Sequence, residues 1–342
     1  MAAVGAAVGA LAALLLGVLA VLAAVLGAPA AQAALRVLQL YGAGWAALSV
    51  GRDKSYSLRQ RADPIGLVDL QSAANPRKRL VFVRHGESAW NEVFNRGFGP
   101  GFPVRLVKAW LDELALAGYG DSVFLDSPLS PTGLAQVAEM RAFVAGNASG
   151  ANAVGDTAAV LRVLKGEAPA GASVVVASNL RRAMATVALG LQDRLARTGE
   201  KIAVLSCLQE ISRNVDTLSL SPAGACVDIP LVGGKVVRSA GVFDAAGNAG
   251  NKPLRGTGLQ RLDAFAEWAF TRSEDTIVVG GHSLFFKEFF KTFLPRNAEG
   301  LGAKAKKRKI ANCGIVALDL VQQGGHYCIP EASILPIYLG FS

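Results

Sequence analysis

The chain has 342 residues, with 35 Lys and Arg against 26 Asp and Glu, which gives a net charge of +9. This length permits one large domain with appendages or two domains. The four cysteines show neither C-x-x-C spacing nor paired histidines, which argues against a zinc site or a redox motif and favours reduced thiols. Part of the positive charge is a block at residues 304–309, KAKKRK, which predicts a solvated loop. Adhesion to an anionic membrane surface is the alternative for this block, and no nucleic-acid partner is expected.

Residues 1–35 contain no charged side chain, and nearly all of them are Ala, Leu, Val or Gly. A membrane-spanning helix needs about 20 consecutive apolar residues, and the run before Pro29 exceeds that length. We therefore predict an N-terminal transmembrane helix that anchors the chain. A cleaved signal peptide is one alternative, because APAAQA offers an A-x-A pattern, although its apolar core would be shorter and its start basic. An organelle presequence is another, although it would be rich in arginine.

Positive charge follows the apolar segment and does not precede it. Five basic residues lie C-terminal to the segment: Arg36, Arg52, Lys54, Arg59 and Arg61. The positive-inside rule then places the bulk of the chain in the cytosol. Residues 36–76 lack strong periodicity and predict a juxtamembrane connector, and residues 77–342 form the predicted main domain. Which membrane holds the anchor, and whether the segment is cleaved, stay open.

From residue 77 onward, short β-branched runs alternate with helical patterns. Five apolar runs are typical of strands covered on both faces, namely residues 80–83, 173–177, 202–205, 276–279 and 314–320. Five helices are predicted among them, at residues 131–145, 158–165, 181–195, 259–271 and 284–293. In the first of these helices, Ser130 suits the N-cap and Pro131 suits the first turn. The alternation predicts a three-layer α/β/α sandwich with a mainly parallel central sheet.

Two Gly-rich, partly aromatic stretches interrupt this alternation, at residues 92–125 and 227–258. Sites in parallel sheets form at the carboxyl ends of the strands. Long insertions often carry function, so we predict that both stretches lie over such a site as lids or rims.

Two of the three histidines directly follow predicted strands. His85 ends LVFVRH and His282 ends TIVVGGH, so the two imidazoles converge if those strands are neighbours. Arg84 adjoins the first histidine, and Arg181 and Arg182 follow a third strand at the start of a helix. A guanidinium fork matches phosphate oxygens, and a helix N-terminus attracts anions as well. These residue types indicate a pocket for a phosphoryl group.

A fourth predicted strand end contributes a carboxyl group. Glu210 lies just beyond the strand that ends near Leu205, where burial in a partly closed crevice would keep its proton near neutral pH. A solvated loop glutamate is the alternative interpretation of this residue. The third histidine, His326, is interpreted as a packed or surface residue.

Five short motifs occur in an order that is typical of one family. They are RHGESAWN at residues 84–91, LDSPLSPTG at 125–133, SNLRRAMAT at 178–186, LQEI at 208–211 and GGHS at 280–283. Through these motifs the chain resembles the histidine phosphatase superfamily, the phosphoglycerate-mutase-like proteins, over roughly residues 79–320. The resemblance implies that residues 77–342 are a catalytic domain, and it leaves the N-terminal region unexplained.

The resemblance implies a role for each residue of the pocket. His85 would be the nucleophile that becomes phosphorylated, and Arg84, Arg182 and His282 would hold the phosphate oxygens. Arg182 is preferred to Arg181 because it is the arginine of the family's arginine–alanine pair.

The resemblance also implies roles for residues at the edge of the pocket. Glu210 would protonate the leaving oxygen, and Ser88 and Asn91 would contact phosphate or substrate. The neighbouring arginines should lower the pKa of His85 and keep its ring neutral, as a nucleophile requires. The same positive field tends to ionise Glu210, so burial must outweigh that field if this residue is the acid.

The implied reaction has two steps. His85 attacks phosphorus while Glu210 gives a proton to the departing alcohol, and water then hydrolyses the phosphohistidine with Glu210 as base. The sequence contains no carboxylate cluster typical of a metal site, and neither a metal nor another cofactor is expected. The predicted partner is a phosphorylated small molecule or a phosphoprotein, and the physiological substrate and the oligomeric state stay open.

Two other functions remain as alternatives to a phosphomonoester hydrolase. Phosphoryl transfer of the phosphoglycerate mutase type is disfavoured, because residues 92–125 are long where cofactor-dependent mutases carry a characteristic short segment. A membrane-anchored phosphate-binding scaffold without catalysis would be expected to lack one of the four pocket residues, and all four are present. A phosphatase is therefore the predicted function.

Overall fold

The computed structural model describes residues 17, 20–21, 23–25, 27–50, 75–116, 119–146, 155–231, 235–253 and 257–342. Residues 1–16 of the predicted anchor lie outside the described residues, as do residues 51–74 of the predicted connector. Within the described ranges, no helix combines the length and the apolar character that crossing a membrane requires.

An eight-stranded sheet lies at the centre of the described residues. The strands are β1 (Arg77–Arg84), β2 (Ser173–Ser178), β3 (Ile202–Leu205), β4 (Ile229–Pro230), β5 (Val236–Val237), β6 (Phe243–Asp244), β7 (Thr276–Gly281), β8 (Ile315–Gln323), β9 (His326–Cys328) and β10 (Leu335–Tyr338). The sheet has the order β10-β8-β1-β7-β2-β3-β6, with β9 paired to β8, while β4 and β5 form a separate hairpin. Strands β1, β7, β2, β3 and β6 are parallel, and β8 is antiparallel to its neighbours. The predicted mainly parallel sheet is confirmed.

Helices cover both faces of this sheet. They are α1 (Ala28–Val50), α2 (Ala89–Phe94), α3 (Gly101–Leu116), α4 (Pro131–Ala145), α5 (Asp156–Leu164), α6 (Arg181–Gly190), α7 (Gln192–Thr198), α8 (Gly258–Thr271), α9 (Ser283–Phe293) and α10 (Gly300–Lys307). One core cluster joins alternate β1 side chains to α8 and α9, and the other joins the remaining β1 side chains to α4 and α6. Leu80 and Phe82 belong to the first cluster, and Val81 and Val83 to the second. A strand buried on both faces has this continuous apolar character, as the sequence predicted.

The predicted start of α4 is confirmed. The Ser130 hydroxyl accepts a hydrogen bond from the Gly133 amide at 3.0 Å, and Pro131 occupies the first turn. The helix predicted at residues 181–195 is instead two helices, α6 and α7, which separate at Leu191. Gly190 ends α6 close to Met140, and a Cβ added there would displace the terminal methyl of that side chain. Glycine is also a weak helix former, so the break falls at this position.

The basic block of residues 304–309 does not form the predicted loop along its whole length. Lys304, Lys306 and Lys307 lie in the last turn of α10. Cations there interact favourably with the negative end of the helix dipole, which the prediction of a solvated loop left out of account. The insertion at residues 92–125 likewise contains a 16-residue helix, α3, among its loops.

The N-terminal helix α1 runs through residue 35, the predicted end of the anchor. Val37 packs with Leu125 and Leu218, and the Tyr41 hydroxyl donates a hydrogen bond of 2.6 Å to Glu113. These contacts lie on one face of the helix because the residues are about one turn apart. Residues 36–50 of the predicted connector are therefore a helix packed on the main domain.

Candidate active site

The carboxyl ends of the parallel strands bring the predicted site residues to one edge of the sheet. Strand β1 pairs with β7, with Arg84 opposite Gly281, and β7 pairs with β2 on its other side. His85 and His282, which follow β1 and β7, therefore lie side by side, with ring centroids 5.1 Å apart. The start of α6 follows β2, and this start carries Arg182. The topology alone thus places these side chains together.

His85 is held in one tautomer by a backbone contact. Its Nδ1 lies 2.6 Å from the Gly86 carbonyl oxygen, and because a carbonyl only accepts, Nδ1 carries the proton. The Nε2 lone pair is left to accept from Arg182 Nε, 3.3 Å away. Burial, followed by the positive charges of Arg182 and Arg84, lowers the pKa of His85 well below its usual value. The ring is neutral at physiological pH and carries its lone pair on Nε2.

Glycines in two motifs allow the loops beneath His85 to approach each other. A Cβ on Gly86 would lie 2.8 Å from the Gly133 carbonyl oxygen, which is closer than such contacts allow. Gly133 in turn packs directly against the backbone of Glu87. The Gly86 amide donates to the Thr186 hydroxyl at 3.1 Å. The glycines of RHG and SPTG are therefore needed for close packing of the backbone.

The two adjacent arginines of α6 have different surroundings. Arg182 donates from Nη1 to the Asp216 carbonyl at 2.7 Å and from Nε to His85. Arg181 points elsewhere: its Nε donates to the Asp126 carbonyl at 2.9 Å and its Nη2 to the Ser122 carbonyl at 2.7 Å. Arg181 therefore ties loops together, and Arg182 is the arginine that faces the histidine.

Arg84 and His282 complete the buried polar group. Arg84 Nη1 donates to the Ile310 carbonyl at 2.6 Å, and its Nε has no hydrogen-bond partner among the described residues. Burial lowers the pKa of Arg84 to about 10, so it stays a cation at neutral pH. His282 Nε2 shares a hydrogen bond of 2.8 Å with the Ser178 hydroxyl, and its Nδ1 is unpartnered within the same residues. Burial, followed by the charge of Arg182, lowers the pKa of His282 well below its usual value.

The Glu210 carboxylate lies at the N-terminus of α9. Its Oε1 accepts from the Phe285 amide at 2.8 Å and from the Ile211 amide at 2.9 Å, and its Oε2 accepts from the Leu284 amide at 3.2 Å. Amide donors and a helix N-terminus both stabilise an ionised carboxylate. The structure thus places the Glu210 carboxyl group at the cavity with both oxygens bonded to backbone amides, and its role as proton donor stays a prediction.

Ser88 and Asn91 occupy different positions. The Ser88 hydroxyl accepts from the Asn91 amide at 3.2 Å and caps α2, and Ser88 is fully buried. Asn91 lines a cavity of about 130 Å³ at the strand ends, whereas Ser88 does not line it. The structure thus places Asn91 at the cavity and gives Ser88 a capping contact.

Residues that the sequence interpretation missed also line this cavity. Asp216 and Lys309 lie in its wall together with Arg84, His85 and Arg182. Asp216 belongs to a 3-10 turn of residues Val215–Thr217, and its Oδ2 is 3.3 Å from Arg182 Nη2. The available signal for Asp216 was that it is the only charged residue in the stretch VDTLSLS. Lys309 ends the basic block and was interpreted only as part of it.

A metal centre is a separate question from this cavity. In the part of the chain that the structure describes, there is no group of three or more His, Cys, Asp or Glu that could hold a metal ion. The four cysteines form no disulfide, and His326 is an exposed residue of β9.

No family model matches the chain, and no curated protein matches it. Among solved structures, the chain is similar to a mycobacterial glucosyl-3-phosphoglycerate phosphatase in complex with VO3, at 17% identity and a TM-score of 0.36, over 74% of this chain and 97% of that one. It is similar to a phosphoserine phosphatase variant from Entamoeba histolytica in complex with phosphoserine, at 13% identity and a TM-score of 0.32, over 74% and 94%. A structure named mycobacterial hydrolase 1 matches at 16% identity and a TM-score of 0.35, over 78% and 100%. The chain thus resembles the histidine phosphatase superfamily in its motifs, and solved structures of phosphatases are among those to which it is similar at low identity.

Proposed function

We propose that this protein is a phosphomonoester hydrolase that acts through a phosphohistidine on His85. One observation carries the proposal. The Nε2 of a buried, neutral His85 retains its lone pair and lies 3.3 Å from Arg182 Nε, in a cavity that a second arginine also lines. Phosphoryl transfer to nitrogen requires this combination of an unprotonated nucleophile and fixed cations for the phosphate oxygens.

The first step of the proposed reaction transfers the phosphoryl group to His85. A phosphate that enters beside Nε2 takes over the hydrogen bond from Arg182 Nε, and Arg84 and His282 Nδ1–H supply further donors. The Nε2–P bond forms as the ester O–P bond breaks, and the departing oxygen takes a proton from an acid in the cavity. The positive charges of Arg182 and Arg84, held beside the equatorial phosphate oxygens, stabilise the transition state.

The second step returns the enzyme to its starting state. A water molecule attacks the phosphohistidine, the Nε2–P bond breaks, and the conjugate base of the same acid takes the proton of the water. His85 then recovers its lone pair, and inorganic phosphate leaves. The mutase-type alternative differs only in the acceptor, because a substrate hydroxyl would replace the water.

The test compares two histidine variants in the full chain. Wild-type protein should hydrolyse an aryl phosphate, and His85→Ala should lose activity by about 10³-fold or more because no nucleophile remains. His326→Ala is the matched control, since His326 is exposed on β9. Radiolabelled phosphate trapped on the wild-type protein should be acid-labile and base-stable, and it should be missing from His85→Ala. Binding of phosphate without turnover would favour the scaffold instead, and transfer to an added phosphoglycerate without hydrolysis would favour the mutase.

The substrate class and the cellular location belong to the same proposal. The substrate is a phosphorylated small molecule or a phosphoprotein, and a panel of phosphomonoesters and phosphopeptides distinguishes the two.

The uncharged residues 1–35 and the basic residues that follow support attachment to a membrane, with the catalytic domain in the cytosol. Full-length protein should remain in the membrane pellet after alkaline extraction, and recovery in the soluble fraction would contradict the attachment.

A further inference from the structure

Asp216 differs from Glu210 in how its carboxyl oxygens are satisfied. It is only 5% exposed, and its Oδ2 lies 3.3 Å from Arg182 Nη2. Its Oδ1 has no hydrogen-bond partner among the residues that the structure describes, although the atom is buried. Glu210, by contrast, accepts hydrogen bonds from three backbone amides. A buried carboxyl oxygen without a donor is more stable when it carries a proton.

Arg182 links this carboxyl group to the nucleophile. The same guanidinium donates to His85 Nε2 at 3.3 Å and approaches Asp216 Oδ2 at 3.3 Å. Asp216 and His85 both line the small cavity at the strand ends. A phosphoryl group bound between Arg182 and His85 would therefore share this cavity with the Asp216 carboxyl group.

The charged groups around Asp216 act in opposite directions on its proton. Burial is the largest influence and raises the pKa of Asp216 to about 6. Arg182 and Lys252 act to lower this pKa, while Glu210 and Asp126 act to raise it. In weakly acidic solution a substantial part of the protein thus holds a protonated Asp216, and the group changes its charge readily near pH 6.

We propose that Asp216, and not Glu210, is the acid and base of the reaction. In the first step the ester O–P bond breaks and the departing oxygen takes the proton from the Asp216 carboxyl group. In the second step the resulting carboxylate takes a proton from the attacking water as the phosphohistidine is hydrolysed. This assignment rests on the proposed function, and it leaves Glu210 as the carboxylate that caps α9 and shapes the cavity.

Leaving-group dependence tests the assignment, because only a poor leaving group needs a proton. We expect Asp216→Asn to slow the first turnover of an alkyl phosphate such as glycerol phosphate by about 10²–10⁴-fold. The same variant should slow the first turnover of 2,4-dinitrophenyl phosphate far less, because that leaving group departs as a stable anion. The alkyl reaction of the wild type should also fall above a pH near 6, and Asp216→Asn should lack this limb.

Glu210→Gln is the matched control, since it also replaces a cavity carboxylate with an amide. This variant should slow the first turnover of both phosphate esters by similar factors. If Glu210→Gln lost the alkyl reaction selectively, the proposal would be overturned. It would also be overturned if Asp216→Asn slowed both esters equally, because Asp216 would then only position Arg182. A wild-type protein that forms no phosphohistidine would contradict the proposed function itself, so the two failures are distinguishable.

A second observation, independent of the cavity, concerns α3. This helix buries Glu113 and exposes several large apolar side chains, next to an exposed Lys108–Asp112 ion pair. The Glu113 carboxylate is buried and accepts from Tyr41, Ser122 and the Val123 amide. The outward side chains include four large apolar residues at helical spacing, all between 60% and 71% exposed: Val104, Val107, Leu111 and Leu114. A surface this apolar is typical of a region that another surface covers.

The surroundings of this face resemble a membrane-interface region. Aromatic residues lie on or beside α3 and are strongly exposed: Phe98, Trp110 and Tyr119. Tryptophan and tyrosine are enriched at the level of lipid headgroups. The uncharged N-terminal segment leads into the same region, because α1 bonds to Glu113 through Tyr41 and Ala33 packs beside Gly120.

We infer that the outer face of α3 inserts into the boundary between headgroups and acyl chains of a bilayer, in the manner of an interfacial amphipathic helix. This contact differs from the predicted N-terminal anchor, because it involves a helix of the catalytic domain. Helix α3 packs on α2, which carries the cavity residue Asn91. The opposite, inner face of the same helix therefore supports one wall of the proposed active site.

Fluorescence quenching in vesicles tests this contact with the full chain. Phosphatidylcholine with brominated acyl chains should quench tryptophan emission, and Trp110→Phe should remove a large part of the quenched component. Trp268→Phe is the matched control, because Trp268 packs against a different core cluster on α8. Equal effects of the two substitutions would overturn the inference.

Charge substitution gives a second measurement on the same face. Leu111→Glu should reduce binding to phosphatidylcholine vesicles by about threefold to tenfold, because it removes apolar surface and adds a charge. Leu301→Glu, at an exposed leucine of α10, should leave binding unchanged. Self-association that Leu111→Glu abolishes, without a change in quenching, would show that a second copy covers the face and would contradict the bilayer.

Discussion

The cavity has two walls of different construction. One wall consists of the ends of parallel strands, where His85 and Arg182 line the cavity and the buried His282 lies beside His85. The other wall is the loop after β3, which holds Asp216 in a 3-10 turn. The first wall is positioned by continuous ladders of backbone hydrogen bonds. The second depends on side chains from distant parts of the sequence.

The N-terminal helix α1 supports the second wall. Gly44 of α1 packs so closely on the loop that a Cβ would lie 2.6 Å from Val215 Cγ1, next to Asp216. Asp126 joins the two walls, because its carboxylate accepts from the Arg181 amide at 2.7 Å and from the Leu220 amide at 2.9 Å. The proposed phosphate binding and the proposed proton transfer therefore depend on separate parts of the fold, so each can be disturbed without the other.

The largest effect is expected from changing the arginine that faces both walls. Arg182→Lys retains the charge but loses the fork that reaches both His85 and Asp216, so kcat/KM should fall by about 10²–10³-fold. Arg181→Lys is the matched control, because Arg181 is equally buried and bonds to loop carbonyls. It should lower the free energy of unfolding by about 1–3 kcal/mol with little change in kcat/KM. Steady-state kinetics and urea unfolding of both variants measure the contrast, and equal losses of kcat/KM would contradict it.

A smaller and selective effect is expected from the helix behind the second wall. Gly44→Val should push the turn of Val215 outward and displace Asp216, lowering stability by about 1–3 kcal/mol. The first turnover of an alkyl phosphate should slow about tenfold, while an aryl phosphate with a good leaving group should be affected less. Gly42→Val is the matched control on the same helix, because Gly42 has no atom within 4 Å of an added Cβ. Similar kinetics for the two variants would mean that α1 does not position Asp216.

The two walls also differ in how far the sequence predicted them. Residues at strand ends could be found because apolar runs locate the strands, and parallel pairing then brings His85 and His282 to the same edge. The preference for Arg182 came from the family's arginine–alanine pair, and in the structure Arg182 contacts His85 while Arg181 contacts Asp126. Asp216 could not be found in this way, since its place depends on how a loop folds back onto α6 and α1. No periodicity in the sequence encodes that contact.

The expected state of Glu210 depended on the same kind of missing information. Its position after β3 was predicted, but two of the three amides that bind it belong to α9, about 75 residues further along the chain. Residues 36–50 were predicted as a connector and not as a helix because their tertiary contacts are also missing from the local sequence pattern. Helix α1 buries only a narrow face against the domain, through Ala34, Val37 and Gly44, so its pattern was masked by the apolar residues around it.

The smallest effect expected is a change in how stability depends on pH, and it concerns the first wall. Burial and Arg182 hold the pKa of His282 well below its unfolded value near 6.5, so the unfolded chain binds more protons below that pH. The free energy of unfolding should therefore fall as pH decreases from 7 to 5, by up to about 1.4 kcal/mol per pH unit for this residue. Asp216 acts in the opposite direction, since its folded pKa of about 6 lies above its unfolded value and it stabilises the fold as pH falls below 6.

His282→Gln isolates the histidine, because glutamine does not titrate and its amide can still reach the Ser178 hydroxyl. Urea unfolding at pH 7, 6 and 5 should show a shallower loss of stability in His282→Gln than in the wild type. Asp216→Asn should show the reverse, a steeper loss, because it removes the stabilising protonation of the second wall. If all three proteins lost stability with the same pH slope, neither His282 nor Asp216 would change its pKa on folding. The two walls would then not differ in how their groups titrate.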